Sequence, residues 1–357
     1  MKTIDKRETV MVTGGTGYMA SWIVKMLLEE GINVNTTVRD PSDIQKIEHL
    51  TALGKASPGK LKLFKAHLLD FGSFDDPMQG CELVMHTASP FFIMGIKNPE
   101  EELIRPAREG TKNVLEAAKR TPTVKRVVVT SSLAAIYGNT ADIKSAPEGV
   151  FTEREWNVTS SAEHNPYAYS KMIAEKEAWA IAKEQNQWDL LTINPGMILG
   201  PSLSKRKDST TIKLMIQFGD GTYKKGVPEI WYPIVDVRDV ASAHIKAGFT
   251  PKASGRHIIA SGEAKLLDVA NILRKHFGAG YPFPRREVPK FVFWLIAPKL
   301  GFTRKYVSRS VGYQIKIDNS YSKADLEISY IPIDQTVKEH FQQILDDGLL
   351  NKTTSGR

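Results

Sequence analysis

Tyr167 and Lys171 stand four residues apart in the run Asn165-Pro166-Tyr167-Ala168-Tyr169-Ser170-Lys171. On a helix that spacing puts a phenol and an ammonium one turn apart on one face, where the cation acts on the phenol's proton affinity. Such a pair suits proton transfer to a reacting oxygen. A tyrosine ordinarily titrates near 10, and use as an acid near neutrality asks for roughly 4 kcal/mol of preferential phenolate stabilisation, which a neighbouring ammonium can supply. Tyr-x-x-x-Lys alone recurs by chance on amphipathic helices, so its weight depends on the rest of the chain. A third group is offered by Thr130-Ser131-Ser132, which ends an apolar run, Arg126 to Thr130. Hydroxyls at the carboxyl end of a central strand lie where ligands of open α/β sheets bind. One serine there can hydrogen-bond a substrate carbonyl while the other only caps or ends the strand.

The elements that must position these groups begin at the N-terminus. Thr9 to Thr13 reads as a short buried strand, followed by Gly14-Gly15-Thr16-Gly17-Tyr18-Met19-Ala20 and a helical pattern to about Glu30. Gly14 and Gly17 allow a tight turn against a pyrophosphate, Ala20 allows close helix-to-strand packing, and the helix N-terminus faces the anion. Gly14, Thr16, Gly17, Tyr18 and Met19 are therefore the expected phosphate cradle. A second strand, about Asn33 to Val38, delivers Arg39 where an NAD site would offer a carboxylate, and Asp40-Pro41 follows. A guanidinium suits a ribose 2′-phosphate, with Lys46 as a second cation, so NADP is expected; the alternative makes Asp40 the ribose ligand. Further strands are read at Leu61 to Ala66, Glu82 to His86 and Arg126 to Thr130, with a helix from Glu100 to Lys119. The alternation predicts a doubly wound parallel α/β sheet of the Rossmann type.

A chain of 357 residues with 41% hydrophobic content exceeds one nucleotide-binding domain, so a second, smaller lobe is expected. The expected division gives residues 1–195 and 227–250 to the cofactor domain, 196–226 and 251–350 to the substrate lobe, and 351–357 to a frayed tail. The single cysteine, Cys81, excludes an intramolecular disulfide, and with a polar Met1 to Glu8 it points to the cytoplasm. The apolar run Phe291 to Ala297 is too short for a bilayer, which needs about 20 residues, and reads as a pocket wall or buried helix. The net charge of +8 is spread, and its densest cluster, Lys205-Arg206-Lys207, reads as a solvated loop rather than a nucleic-acid surface. Phe91, Phe92, Met197, Ile230, Trp231 and Tyr232 are candidates for either pocket lining or core. An amphipathic helix is read from about Thr336 to Asp346.

These motifs together resemble the extended short-chain dehydrogenase/reductases, in the dihydroflavonol reductase-like branch with the methylglyoxal/diketone reductases, microbial aldehyde reductases and cinnamoyl-CoA reductases. The resemblance runs from about Thr9 to Leu350. It rests additionally on Val38-Arg39-Asp40-Pro41, His86-Thr87-Ala88-Ser89-Pro90, Asn194-Pro195-Gly196-Met197-Ile198-Leu199-Gly200-Pro201 and Val235-Asp236-Val237-Arg238-Asp239-Val240-Ala241. It implies Ser132 as the catalytic serine, Tyr167 as proton donor, and Lys171 as the group that lowers the tyrosine's pKa and holds the nicotinamide ribose. It implies cofactor contacts from Thr87, Ala88, Ser89, Thr130, Pro195, Gly196 and Ile198, and no metal. Asp236 and Asp239 read as structural, with Asp239 capping the helix that carries His244.

The chain departs from that pattern in three places. Ala66-His67-Leu68 stands where relatives have Ala-Asp-Leu, so His67 replaces an acidic group near the adenine. Asn165-Pro166-Tyr167-Ala168-Tyr169 replaces Asn-Trp-Tyr-Cys-Tyr, which argues against a CoA thioester. Tyr137 stands five positions after Ser132, where flavonoid reductases carry a polar selector. The expected activity is NADPH-dependent reduction of an aldehyde or ketone by a monomer or homodimer. The competitors are a nucleotide-sugar epimerase or dehydratase, disfavoured by Arg39, and a non-catalytic cofactor sensor, disfavoured by the presence of both Tyr167 and Lys171.

Overall fold

The computed structural model describes residues 2–89 and 97–350, so Phe91, Phe92 and the tail 351–357 lie outside the described residues. Its strands are β1 (Val10–Val12), β2 (Val34–Val38), β3 (Leu61–Lys65), β4 (Leu83–His86), β5 (Arg126–Thr130), β6 (Asp189–Pro195), β7 (Met197–Leu199), β8 (Val227–Pro228), β9 (Trp231–Asp236), β10 (Gly255–Ile259), β11 (Gly262–Lys265) and β12 (Glu287–Val288). The α-helices are α1 (Tyr18–Glu29), α2 (Ile44–Ala56), α3 (Asp75–Met78), α4 (Arg105–Arg120), α5 (Pro166–Lys183), α6 (Thr210–Gly219), α7 (Val237–Phe249), α8 (Leu266–Phe277), α9 (Lys290–Ile296), α10 (Arg304–Ser310), α11 (Ser320–Asp325) and α12 (Ile333–Asp346).

Seven strands form one parallel sheet in the order β10-β6-β5-β4-β1-β2-β3. The period of two along each strand feeds two cores, which is why these strands read as continuous apolar runs. Val10 and Val12 enter one core with Ile23, Val24 and Leu27 of α1 and Val240 and Ala241 of α7. Met11 enters the other with Val114 and Leu115 of α4 and Ala178 of α5. The strand order reverses direction between β1 and β4, and the crevice at the carboxyl ends of those strands is where a doubly wound sheet binds its ligand.

A third core gathers Leu199, Phe218, Ile234, Leu273 and Phe341 around a separate sheet of order β11-β9-β7. Strand β10 falls within the residues expected of the substrate lobe, yet it closes the edge of the seven-stranded sheet against β6. The helix expected at Glu100 begins with a π-helical turn, Glu100–Ile104, before α4. The last helix starts at Ile333, three residues ahead of the expected Thr336.

The run Phe291 to Ala297 is buried on one side only. Phe293 and Ala297 face the core, while Phe291, Leu295 and Ile296 are exposed. A seven-residue helix presents one narrow stripe inward, so an unbroken apolar run leaves its outer face in water.

Candidate active site

The glycine turn is shaped by its neighbours as much as by any ligand. Gly14 adopts φ +70°, and a Cβ there would lie 3.0 Å from that of Ala88; at Gly15 it would lie 2.3 Å from Thr36 Oγ1. The Gly17 amide closes the turn on the Gly14 carbonyl at 2.8 Å. Helix α1 then starts with no side-chain cap and no acidic residue in its first turn, which leaves its N-terminal donors suited to a diphosphate. Met19 packs into the core and the Tyr18 hydroxyl donates to the Gly200 carbonyl, so among these two it is the backbone that faces the turn.

Thr13 Oγ1 accepts the amides of Thr87 and Ala88, each at 3.0 Å, and therefore donates its own proton to His86 Nδ1 at 3.0 Å. Burial holds the His86 ring neutral, with its pKa brought down to about 3. This arrangement fixes Thr87 and Ala88 at the end of β4, with Ala88 against Gly14.

At the end of β2, Arg39 and Asp40 are exposed. The Asp40 carboxylate accepts the Ser42 amide at 2.9 Å and the Ser42 hydroxyl at 2.6 Å, which commits it locally. Those bonds hold its carboxyl below the ordinary value, with help from the charges of Lys65 and Lys46. Lys46 is paired with Asp43 at 2.7 Å. Lys65, which sequence reading missed, stands beside Val38 through the β2–β3 register and makes this corner more cationic. His67 is exposed, with Nδ1 3.6 Å from Asp70, and Leu68 packs over Gly110. A cationic corner without a free carboxylate fits a phosphate better than a bare ribose hydroxyl.

Helix α5 brings the proton-transfer groups to the same crevice. Asn165, in the left-handed conformation at φ 56°, precedes Pro166 at the first helical position and donates its amide to the Gly138 carbonyl at 2.7 Å. Tyr167 and Ser132 hydrogen-bond through their side chains, and Ser132 Oγ also accepts the Ala134 amide at 3.1 Å. One turn on, Lys171 Nζ donates to Ser89 Oγ at 3.1 Å. Expectation and structure part over the phenol. Burial raises Tyr167 to about 12, opposed by the Ser132 bond, rather than Lys171 lowering it. Lys171, directed toward Ser89, is itself brought down to about 8 by the same burial, with the charge of Glu175 opposing.

Of the two serines, Ser131 is the structural one, its hydroxyl donating to Glu175. The carboxylate of Glu175 also accepts from Asn194 Nδ2 at 2.7 Å, Thr192 Oγ1 at 3.2 Å and Arg256 Nε at 2.6 Å, while Asn194 reaches the Ser132 carbonyl at 3.2 Å. Sequence reading missed this cluster, although Glu175 continues the four-residue spacing of Tyr167 and Lys171. Thr130 Oγ1 is taken up by His244 Nε2 at 2.7 Å, since His244 Nδ1 donates to the Val240 carbonyl at 2.8 Å. The cap of α7 is Asp236, which accepts the Arg238 amide at 2.9 Å; Asp239 instead accepts the Ile331 amide at 2.8 Å. The expected Asp239 cap is thus displaced by three residues, because Asp236 ends β9 just outside the helix.

Pro195 ends β6 and Ile198 lies in β7, joined by Gly196, where a Cβ would strike the Pro233 carbonyl at 2.3 Å. Lys205 and Lys207 are exposed as expected of a solvated loop, but Arg206 is half-buried and donates to the Thr16 carbonyl at 3.1 Å, over the glycine turn. An aromatic wall follows: Tyr137 stacks on Phe151 at 4.8 Å, and Tyr232 hydrogen-bonds Tyr306. Ile230 belongs to the core, whereas Met197, Trp231 and Tyr232 are only partly buried.

Residues 10–260 match the NAD dependent epimerase/dehydratase family. A cinnamoyl-CoA reductase of Medicago truncatula is 36% identical across 98% of this chain and 100% of its own length. An anthocyanidin reductase of Vitis vinifera is 36% identical across 79% of this chain and 83% of its own. Among solved structures, Gre2 of Candida albicans in complex with NADPH superposes with a TM-score of 0.76 at 29% identity, covering 95% of this chain and 99% of that one.

Proposed function

The chain belongs to the NAD dependent epimerase/dehydratase family, within its reductases, and on that premise we propose an NADPH-dependent carbonyl reductase in which Tyr167 gives the proton. The observation that carries the reading is the Tyr167–Ser132 hydrogen bond with Lys171 one turn below it, at the carboxyl edge of the sheet.

Bound NADPH supplies the hydride. Gly14, Thr16, Gly17 and the backbone of Tyr18 and Met19 would hold its diphosphate. Arg39, with Lys46, would hold the 2′-phosphate, and His67 and Leu68 would flank the adenine. Thr87, Ala88, Ser89 and Thr130 would line the crevice, while Pro195, Gly196 and Ile198 would support the nicotinamide. The substrate's carbonyl oxygen accepts hydrogen bonds from Ser132 and Tyr167, so charge developing on it meets donors already in place. A phenol held near 12 keeps its proton until that charge forms, then passes it on, while the Ser132 bond opposes the rise; Lys171 would hydrogen-bond the nicotinamide ribose.

We assign residues 1–195, 227–250 and β10 to the cofactor side, and 196–226 with the remainder of 251–350 to the substrate side. The substrate is a small aldehyde or ketone, and the setting we infer is cytoplasmic, with a monomer or homodimer and no nucleic acid involved. Among the described residues no helix is long and apolar enough to cross a membrane.

The test is NADPH oxidation with aldehydes, diketones, flavonoid ketones and CoA thioesters, run beside NADH and a nucleotide sugar. Tyr167→Phe is expected to lower kcat by at least about 100-fold while NADPH affinity, read by fluorescence titration, stays within about twofold. Turnover by that variant near the wild-type rate would remove Tyr167 from the acid role. Conversion of the nucleotide sugar with no carbonyl reduced would replace the reductase reading by an epimerase one.

A further inference from the structure

Four exposed large apolar side chains gather within ten residues: Phe291 (69% exposed), Leu295 (58%), Ile296 (41%) and Leu300 (50%). They lie on α9 and the 3-10 turn Ala297–Leu300, whose inner side is anchored by Phe293 and Ala297 in the substrate-side core. A lone exposed leucine needs no explanation, but a contiguous group does. The surrounding chain is basic. Arg285, Arg286, Lys299, Arg304 and Lys305 are exposed, and within the stretch from Arg285 to Lys316 the only carboxylate is Glu287, which pairs with Lys265 at 2.7 Å; from outside that stretch Glu163 lies close enough to Lys305 to feel its charge.

The segment is braced rather than loose. Lys290 Nζ donates to the carbonyls of Ser308 and Val311 at 3.0 and 2.7 Å, and the Arg304 guanidinium lies 4.4 Å from the Trp294 ring centroid. Helices α9 and α10 therefore hold each other, and the four apolar side chains point outward from a fixed platform.

We propose that this platform docks on an anionic lipid surface, with Phe291, Leu295, Ile296 and Leu300 inserted at the acyl boundary and the basic rim against the headgroups. Apolar residues on one side of a short helix with arginines and lysines around them form the pattern of an interfacial element, and each cation near an anionic leaflet adds attraction. A second copy of this chain fits less well, because a twofold contact would set the basic rim against itself. The docking is independent of the reaction at the crevice.

Vesicle co-sedimentation with the full chain tests it. Binding is expected to phosphatidylcholine vesicles containing about 30% phosphatidylserine, to weaken at least tenfold on pure phosphatidylcholine, and to fall steeply with added salt. The double variant Phe291→Ser/Leu295→Ser is expected to lose binding while its thermal unfolding midpoint stays close to wild type, since both side chains are exposed. Three results overturn the proposal: no binding to the anionic vesicles, equal binding by the double variant, or sedimentation velocity showing a wild-type dimer that the double variant dissociates.

Discussion

Burial acts on the two proton-transfer groups in opposite directions, and the result suits their parts. It raises Tyr167 to about 12, which keeps the phenol protonated through the neutral range, and it lowers Lys171 to about 8, which leaves the ammonium charged there by a narrow margin. An acid donor must be protonated and the ammonium that would hold the ribose charged, so activity belongs below the lysine's pKa and fades as pH rises through it. The alkaline limb of kcat/KM for the free enzyme is expected near pH 8, well below the ordinary lysine value. In Lys171→Arg, whose charge persists to high pH, that limb should move upward even though the overall rate drops. If the limb stays where it was in the arginine variant, another group is titrating and the assignment to Lys171 is wrong.

Helix α5 does more than space Tyr167 and Lys171. One turn further, Glu175 ties the helix to the residue after β5 through Ser131, to β6 through Thr192 and Asn194, and to β10 through Arg256. A buried ion pair of this kind contributes little net stability, yet removing one partner strands the other charge. Glu175→Ala should therefore destabilise by about 3–5 kcal/mol, and the double variant Glu175→Ala/Arg256→Leu should lose less than the sum of the single changes. Urea unfolding of the four proteins measures the cycle, and strict additivity would show that the two side chains do not act as a pair. The sequence offered α5 readily, because Asn165-Pro166 marks its start and the Tyr167–Lys171 spacing marks its face. The central strands were equally plain: β1 and β5 are buried on both sides, and such strands can only be runs of valine and its like. The β11-β9-β7 sheet was hidden, since Trp231-Tyr232-Pro233 mixes a proline with amphipathic rings and its partners lie far along the chain. Phe291 to Ala297 misled for a different reason. An apolar run without periodicity states that some face is buried and says nothing of the opposite one. Lys65 was overlooked because its nearness to Arg39 arises from strand pairing rather than from spacing.

Across the whole molecule, three buried histidines work as neutral acceptors at junctions between elements. His86 accepts from Thr13 between β4 and the glycine turn, His244 accepts from Thr130 between α7 and β5, and His340 accepts the Gly200 amide at 3.1 Å between α12 and the end of β7. Burial lowers their pKa values to about 3, 4 and 3, so each would have to give up its acceptor and carry a charge in the core if protonated. The unfolded chain binds those protons near the ordinary histidine value of about 6.5, and the folded chain does not. Stability is thus fully present above about 6.5 and is lost as pH falls toward the folded values, at up to about 1.4 kcal/mol per pH unit for each ring. At pH 5 the loss approaches about 2 kcal/mol per histidine, roughly 6 in all, which is comparable with the whole stability of many domains. Asp239, raised to about 6 by burial, acts in the reverse sense below that pH and offsets part of the loss. Lys171 titrates above this window, and carboxylates held low, such as Asp5, act below it. Urea unfolding at pH 7.5, 6 and 5 under constant ionic strength should therefore show midpoints falling steeply below pH 6.5, and His340→Gln should flatten the fall. A midpoint unchanged between pH 7.5 and 5 would mean that these rings take up protons in the folded state as easily as in water, and the account of the three junctions would fail with it.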